Sequence, residues 1–261
     1  MIVKTRAVVL REIKYRDQSK ICTLFTSEFG KLTAILKGGR NPKSRLSGKF
    51  SAGNVLDIVL YKKNGRDIQL ISDGSLLFSP LSAEPDMERF ATMYRIIDLI
   101  SQALEGEEKN LPLFSLLTGV LEILYSTEER FELLFIWFLL RMISTLGFEP
   151  SLDRCVYSGE PLSAAAETMM LRELSFVMNP GGVALPAAAL RQISQQHSIT
   201  MPAYRLLSEL SSTPLSALDE VDAGKAETEF LCKLLQEYCR LHLDHTPRNR
   251  NLAVVAQMLS K

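Results

Sequence analysis

Apolar and polar residues alternate in short runs over the first part of this chain and then change period. Val3–Ile13 (VKTRAVVLREI), Ile21–Thr26, Lys31–Lys37, Val55–Tyr61 and Ile68–Ser72 are brief, rich in Val, Ile, Thr and Leu, and partly two-periodic. That pattern predicts five β-strands. Phe29-Gly30, Gly38-Gly39 with Asn41-Pro42, and Asn64-Gly65 separate the runs, and Asn-Gly between two such runs is a strong hairpin signal. Five short strands predict a small barrel, of the OB type or SH3-like. From Pro80 the period lengthens. Glu88–Leu104 places Phe90, Met93, Tyr94, Ile97 and Ile100 at helical spacing, and Leu111–Tyr125 and Arg130–Leu146 continue as helices, the last ended by Gly147 and Pro150. Ser151–Pro186 is irregular. Helical spacing returns around Leu185–Gln195, Pro202–Leu210 and Glu227–Asp244, and a final helix is expected after Pro247. The expected fold class is α+β multidomain. An OB-like β-barrel domain spans 1–79, and an all-α helical domain spans 80–261, with an irregular insertion at about 151–188.

Composition narrows the setting. The chain has 261 residues, 46% of them hydrophobic and 23% charged, enough to bury a core of ordinary globular kind. MIVKTRAVVLREI alternates too soon for a secretory leader, and the most apolar run, Phe131–Leu146, carries Glu132 and Arg141 and is too short for a membrane span. Cys22, Cys155, Cys232 and Cys239 show no paired spacing, so no disulfide framework is expected. The expectation is a cytoplasmic protein with no membrane partner.

Charge then changes the picture. Lys+Arg and Asp+Glu are equal over the whole chain, 30 of each, but residues 1–78 hold 15 basic against 6 acidic residues, a net of +9. The remainder is correspondingly −9. Lys31–Phe50 alone (KLTAILKGGRNPKSRLSGKF) has six cations and no acid. Lys31 and Lys37 fall on the third strand; Arg40, Lys43, Arg45 and Lys49 fall on the loop after it. These six are the predicted backbone contacts to a polyanion, with Arg6, Arg11 and Lys20 in support. Tyr15, Phe25, Phe29, Phe50 and Tyr61 are available for base stacking. A solvated basic loop is the competing reading. Neither Gly30-Lys31-Leu32 nor Gly48-Lys49-Phe50 supplies a nucleotide-hydrolysing phosphate loop.

Other chemistry is sparse. Cys239, His242 and His245 lie three apart on a predicted helix, but the third swings around the helix from the first two, so no metal site is expected. His197 stands alone. There is no nucleophile elbow and no paired-acid setting, so the chain is not expected to be an enzyme. Trp137 and the Phe131, Phe135, Phe138 series read as core. Arg130, Arg141 and Arg205 are candidate rims of a pocket for an acidic, hydrophobic peptide tail.

KTRAVVLREIKYRDQSKICTLFTSEFGKLTAILKGGRNPKSRL closely resembles the start of the RecO family of bacterial recombination mediators. The match runs through Tyr15, Asp17, Ser19, Lys20, Thr26, Gly30, Lys31, Lys37, Gly38, Arg40, Lys43, Ser44 and Arg45, and YCRLHLDHTPRNR (Tyr238–Arg250) is similar to that family too. The resemblance implies an OB fold followed by a helical domain, and a role in DNA repair and recombination. It implies binding of single- and double-stranded DNA, annealing of complementary strands, and help in exchanging single-stranded DNA-binding protein (SSB) for recombinase. The implied partners are RecR and SSB, the latter through its acidic C-terminal tail. Many family members carry four zinc-binding cysteines in the irregular segment. Here Cys155 remains, while Ser158, Leu185 and Ala188 occupy the other places. One cysteine cannot hold a structural zinc. The expectation is a degenerate zinc-finger-like lobe without metal, packed through Val156, Leu171, Phe176, Val177 and Leu185. Arg248 and Arg250 would extend the DNA surface if the C-terminus returned to the barrel. Two other functions suit the same residues: a protein-interaction adaptor docked through the basic barrel, and RNA binding by that barrel.

Overall fold

The computed structural model describes residues 1–79, 86–127, 129–163, 165, 169–192 and 194–244. Pro80, Pro85, His245, Pro247, Arg248, Arg250 and the helix expected beyond them lie outside the described residues. The chain divides into two compact units, Met1–Phe131 and Glu132–Thr246.

In the first unit, β1 (Ile2–Tyr15), β2 (Ser19–Thr26), β3 (Gly30–Leu36), β4 (Val55–Tyr61) and β5 (Ile68–Phe78) close into a barrel in the order β1-β2-β3-β5-β4, β1 pairing with β4. The β3–β5 ladder is parallel and the others antiparallel. This closed five-strand circuit is OB-like, as the strand pattern anticipated. Alternation places Val9, Leu24, Leu36, Leu56 and Leu60 inside, all essentially inaccessible. Each such side chain contributes about 1.5–3 kcal/mol from burial. A register shift between Val9 and Arg11 reverses the parity of β1. Before it the even positions Lys4, Arg6 and Val8 face outward; after it Arg11, Ile13 and Tyr15 do.

Two helices complete the unit. Asp86 caps α1 (Met87–Ala103) by accepting from the Arg89 N–H at 2.9 Å, and Asn110 caps α2 (Leu111–Ser126) by accepting from Leu113 N–H at 3.0 Å. They explain why the AVVL run of β1 is apolar on both faces. Phe25, on the outer register beside Val8, meets Phe114 of α2 edge-on with centroids 5.3 Å apart.

The second unit opens with α3 (Phe131–Thr145), whose stretch Leu133–Leu140 is buried on every side. It also holds a three-stranded sheet that the hydrophobic pattern did not reveal. Its strands are β6 (Glu173–Val177), β7 (Gly182–Ala184) and β8 (Gln196–Thr200), in the order β7-β6-β8. The helical half is therefore not all-α. The helix expected over Leu185–Gln195 is a single turn, Pro186–Ala189, after which the chain turns and enters the sheet as β8 only at Gln196. Helices Met201–Ser212 and Lys225–Asp244 complete the unit. Trp137 Nε1 donates to Thr213 O at 2.8 Å, and the Arg141 guanidinium donates to Ser211 O and Thr213 O at 2.8 and 2.7 Å. Arg141 thus caps the end of Met201–Ser212.

Phe176, Val177 and Leu185 are buried, with Val156 and Leu171 half-buried. Cys155 is buried and accepts the Leu185 N–H at 3.4 Å. All four cysteines are buried free thiols. Among the described residues no three metal-ligating side chains come together, and no helix is long and apolar enough to cross a membrane.

Candidate nucleic-acid interface

The loop between β3 and β4 is built, not loose. Successive turns run through Asn41 N–H to Gly38 O (3.0 Å), Ser44 N–H to Asn41 O (2.9 Å) and Ser47 N–H to Ser44 O (3.0 Å), with Asn41 Oδ1 accepting from the Lys43 N–H at 3.0 Å. Gly38 starts the series at φ 69°, a left-handed conformation that favours glycine. Phe50 anchors its far end, fully buried in the barrel core. A Cβ at position 74 would press on the Phe50 ring, so Gly74 makes room for that anchor.

The loop's near end is tied to the β1–β2 hairpin. Arg40 Nη1 donates to Arg16 O and Asp17 O at 2.9 and 3.1 Å, and its backbone N–H donates to Gln18 O at 3.0 Å. Arg40 is therefore a staple between hairpin tip and loop as well as a surface cation. Arg45 pairs with Asp73 at 2.7 Å, both exposed. The Gly74 N–H and the neighbouring Arg45 hold the Asp73 carboxyl below its usual range. Lys49 Nζ donates to Gly74 O at 3.2 Å. Arg6 pairs loosely with Asp57 at 3.5 Å, and Lys20 with Glu12 at 3.7 Å. Glu12 also accepts the Ala52 N–H at 2.8 Å, joining the hairpin to the end of the loop.

Lys37, Lys43 and Arg11 are exposed, with no ion-pair partner among the described residues. Lys31 is placed differently from its expected role. Its Nζ donates to Ser101 O at 2.6 Å and Leu104 O at 3.1 Å, the carbonyls at the end of α1, and burial lowers its pKa. It holds a helix end to the barrel and does not point to solvent.

Sequence reasoning passed over two cations. Lys14 is exposed and lies directly opposite Lys20 in the β1–β2 ladder; Arg16, at φ 50° in the hairpin turn, lies over the Tyr15 ring at 5.3 Å. Like charges directly opposite repel. Glu12 offsets this only in part, at 3.7 Å from Lys20. The signal for both was the hairpin register, Tyr15 against Ser19, which places them beside the loop. Of the proposed stacking aromatics, Phe25 and Phe50 are fully buried, and Phe29 lies half-buried beneath the Lys62 ammonium at 5.4 Å. Tyr15 and Tyr61 keep exposed ring surface.

In the second unit an open cavity of about 650 Å³ is lined by Asp153, Arg154, Pro161, Ser163, Tyr204, Arg205 and Ser208. Of the three arginines expected to rim a peptide pocket, Arg205 lies on it. Cys239 is buried, and His242 stacks on Phe148 at 5.1 Å while facing Met178 O at 3.2 Å.

An OB-like barrel with a concentrated basic surface, followed by a helical unit, is the class of protein that fold and surface define. Residues 1–80 match the family model for the N-terminal part of recombination protein O, and residues 84–251 match that for its C-terminal part. Proteins named DNA repair protein RecO are similar along their whole length. Those of Chlorobium phaeobacteroides, Pelodictyon phaeoclathratiforme and Chlorobium luteolum are 60%, 59% and 54% identical, with 100% of each chain covered. The chain belongs to the RecO family of DNA repair and recombination proteins.

Proposed function

We propose that this protein is a non-enzymatic recombination mediator of the cytoplasm, binding single- and double-stranded DNA on the face formed by the β1–β2 hairpin tip and the β3–β4 loop. The observation that carries the reading is the joining of those two segments by Arg40, with Lys14 set opposite Lys20 and with Lys37, Lys43 and Arg11 free of ion pairs among the described residues. A surface that keeps like charges adjacent gains most from a polyanion, whose phosphates remove the repulsion and release counterions. Arg45 and Lys49 lie on the same loop and Lys20 on the hairpin, each lightly engaged. Arg6 sits further along β1. Lys31 serves the face only by fixing the barrel to α1.

Annealing follows from the same physics. Two strands held on one cationic surface repel each other less, and their pairing becomes an encounter at high local concentration. The wider role is to help exchange SSB for recombinase, with RecR and SSB as partners. The open cavity bearing Arg154 and Arg205 supports a contact to the acidic SSB tail, since guanidinium groups match carboxylates in geometry. No metal takes part.

The test is the annealing rate of complementary oligonucleotides with wild type and a Lys14→Ala/Lys37→Ala/Lys43→Ala variant. The expected result is a loss of at least about tenfold, the scale of removing several phosphate contacts. An unchanged rate in a folded variant would remove this face from the function.

A further inference from the structure

The outer surface of the barrel carries a row of aliphatic side chains in direct cross-strand register. Ile13 of β1 pairs with Ile21 of β2, Ile21 with Ile35 of β3, and Ile35 with Leu70 of β5. The register continues through Tyr61 of β4 to Ile2 at the start of β1. All face away from the core, because their strand neighbours Cys22, Ala34, Leu36, Leu60 and Ile71 are the residues that fill it. Ile13, Tyr61 and Ile2 are 37%, 48% and 62% exposed, and Ile68, one pleat away, 40%. Ile21, Ile35 and Leu70 are half-buried. An outward barrel face usually alternates to polar residues; an uninterrupted apolar row across every strand marks an interaction surface.

Its margins are cationic. Arg11 sits one pleat away on β1, Lys37 follows the end of β3, Lys4 lies outward near the Ile2 end, and Lys63 follows Tyr61 beyond β4. All four are exposed. Of the acids next to the row in sequence, Glu12 is engaged by the Ala52 N–H and Lys20, and Asp67 lies beside Ile68 at its edge. The chemistry is aliphatic rather than aromatic over its central four strands, so it packs against side chains better than it stacks on bases. Strands are spaced about 4.7–4.9 Å apart, so Ile13 to Leu70 covers about 14 Å. A helix repeats its anchor positions every three or four residues, about 4.5–6 Å of rise, which matches that spacing.

We propose that this row is a docking surface for an amphipathic helix of a partner protein, apolar along one face and acidic at its margins. The helix lies across β1, β2, β3 and β5. Its four anchors, at i, i+3 or i+4, i+7, and i+10 or i+11, contact Ile13, Ile21, Ile35 and Leu70 in turn, and its acids meet Arg11 and Lys37. This surface shares Arg11 and Lys37 with the proposed DNA face, but its apolar anchors Ile13, Ile21, Ile35 and Leu70 are separate from that face, and the proposal does not depend on DNA binding.

The experiment uses the full-length protein and three labelled synthetic helical peptides of about eighteen residues: an amphipathic one with Leu anchors and flanking Glu, the same composition scrambled, and one with Lys in place of Glu. Anisotropy titrations are run against wild type, Ile21→Thr/Ile35→Thr and Arg11→Glu. Threonine keeps the β-branched shape on the strand, and an unchanged melting midpoint confirms folding. The expected result is selective binding of the acidic amphipathic peptide. Ile21→Thr/Ile35→Thr weakens it at least about tenfold, and Arg11→Glu weakens it several-fold with a reduced salt dependence. Equal binding of the scrambled peptide, no binding by wild type, or equal binding by the threonine variant overturns the proposal. So does wild-type self-association in sedimentation that the threonine variant loses, which would make a second copy the occupant. Loss of single-strand affinity in that variant would make the row a nucleic-acid face instead.

Discussion

Replacing Lys31 with methionine separates a structural cation from a ligand-binding one. The ammonium bridges β3 to the end of α1 through Ser101 O and Leu104 O, at 2.6 and 3.1 Å. Methionine keeps the length and apolar stem but leaves both carbonyls without that donor. Charge-assisted hydrogen bonds are each worth about 1.5–3 kcal/mol, and a group only half buried recovers part of that from water. A net loss of about 2 kcal/mol follows, lowering the melting midpoint by about 6 °C for a unit of this size. The pH dependence has a definite sign. Burial lowers the Lys31 pKa from its ordinary 10.5. The unfolded chain therefore holds this proton over a range where the folded chain has released it, and wild-type stability rises with pH through that range. The gap between wild type and Lys31→Met widens as pH climbs through the lowered pKa towards 10.5, then levels. Calorimetry across pH, with oligonucleotide affinity measured alongside, reads both effects. A variant that melts with wild type yet loses DNA affinity would refute the structural assignment.

Three further outcomes follow from the same interactions. Gly30 has φ 64° and its α-carbon faces the Glu108 carbonyl, so Gly30→Ala should cost about 3 kcal/mol or more in denaturant unfolding. Phe50→Ala empties the core position that anchors the loop; it should cost about 3–5 kcal/mol, and limited proteolysis should cut first between Lys37 and Phe50. Asp73→Asn releases Arg45 and removes a negative charge beside the loop, so oligonucleotide affinity measured by anisotropy should rise at low salt, with little change in melting.

The barrel was legible because its signals are local. Two-periodic runs and the Asn64-Gly65 turn need no distant partner to be read, and the strands fell within a few residues of expectation, although β1 and β5 run longer. The three-stranded sheet was not legible. β7 has three residues, Gly182–Ala184, and β6 and β8 become strands only by pairing with each other across residues 178–195, a stretch with no β period. The basic site was legible in part. Charge density singled out the β3–β4 loop, but sequence alone gives no direction for a side chain. Lys31 turns to a helix end, Arg40 turns to the hairpin, and Lys14 and Arg16 arrive from the hairpin itself. The apolar row escaped notice for the same reason: its members are spread along five strands and align only through register.

Oligonucleotide affinity across a salt series, for wild type and Lys37→Ala/Lys43→Ala, tests the central claim most directly. Both lysines are exposed and their side chains hold no hydrogen bond or ion pair among the described residues, so stability is expected to be unchanged. Removing one phosphate interaction with a single strand lowers the slope of log affinity against log salt by about 0.7. The account predicts a slope shallower by about 1.4 and weaker binding at every low-salt point. Superimposable salt series for the two proteins would contradict it and move the DNA surface away from this loop.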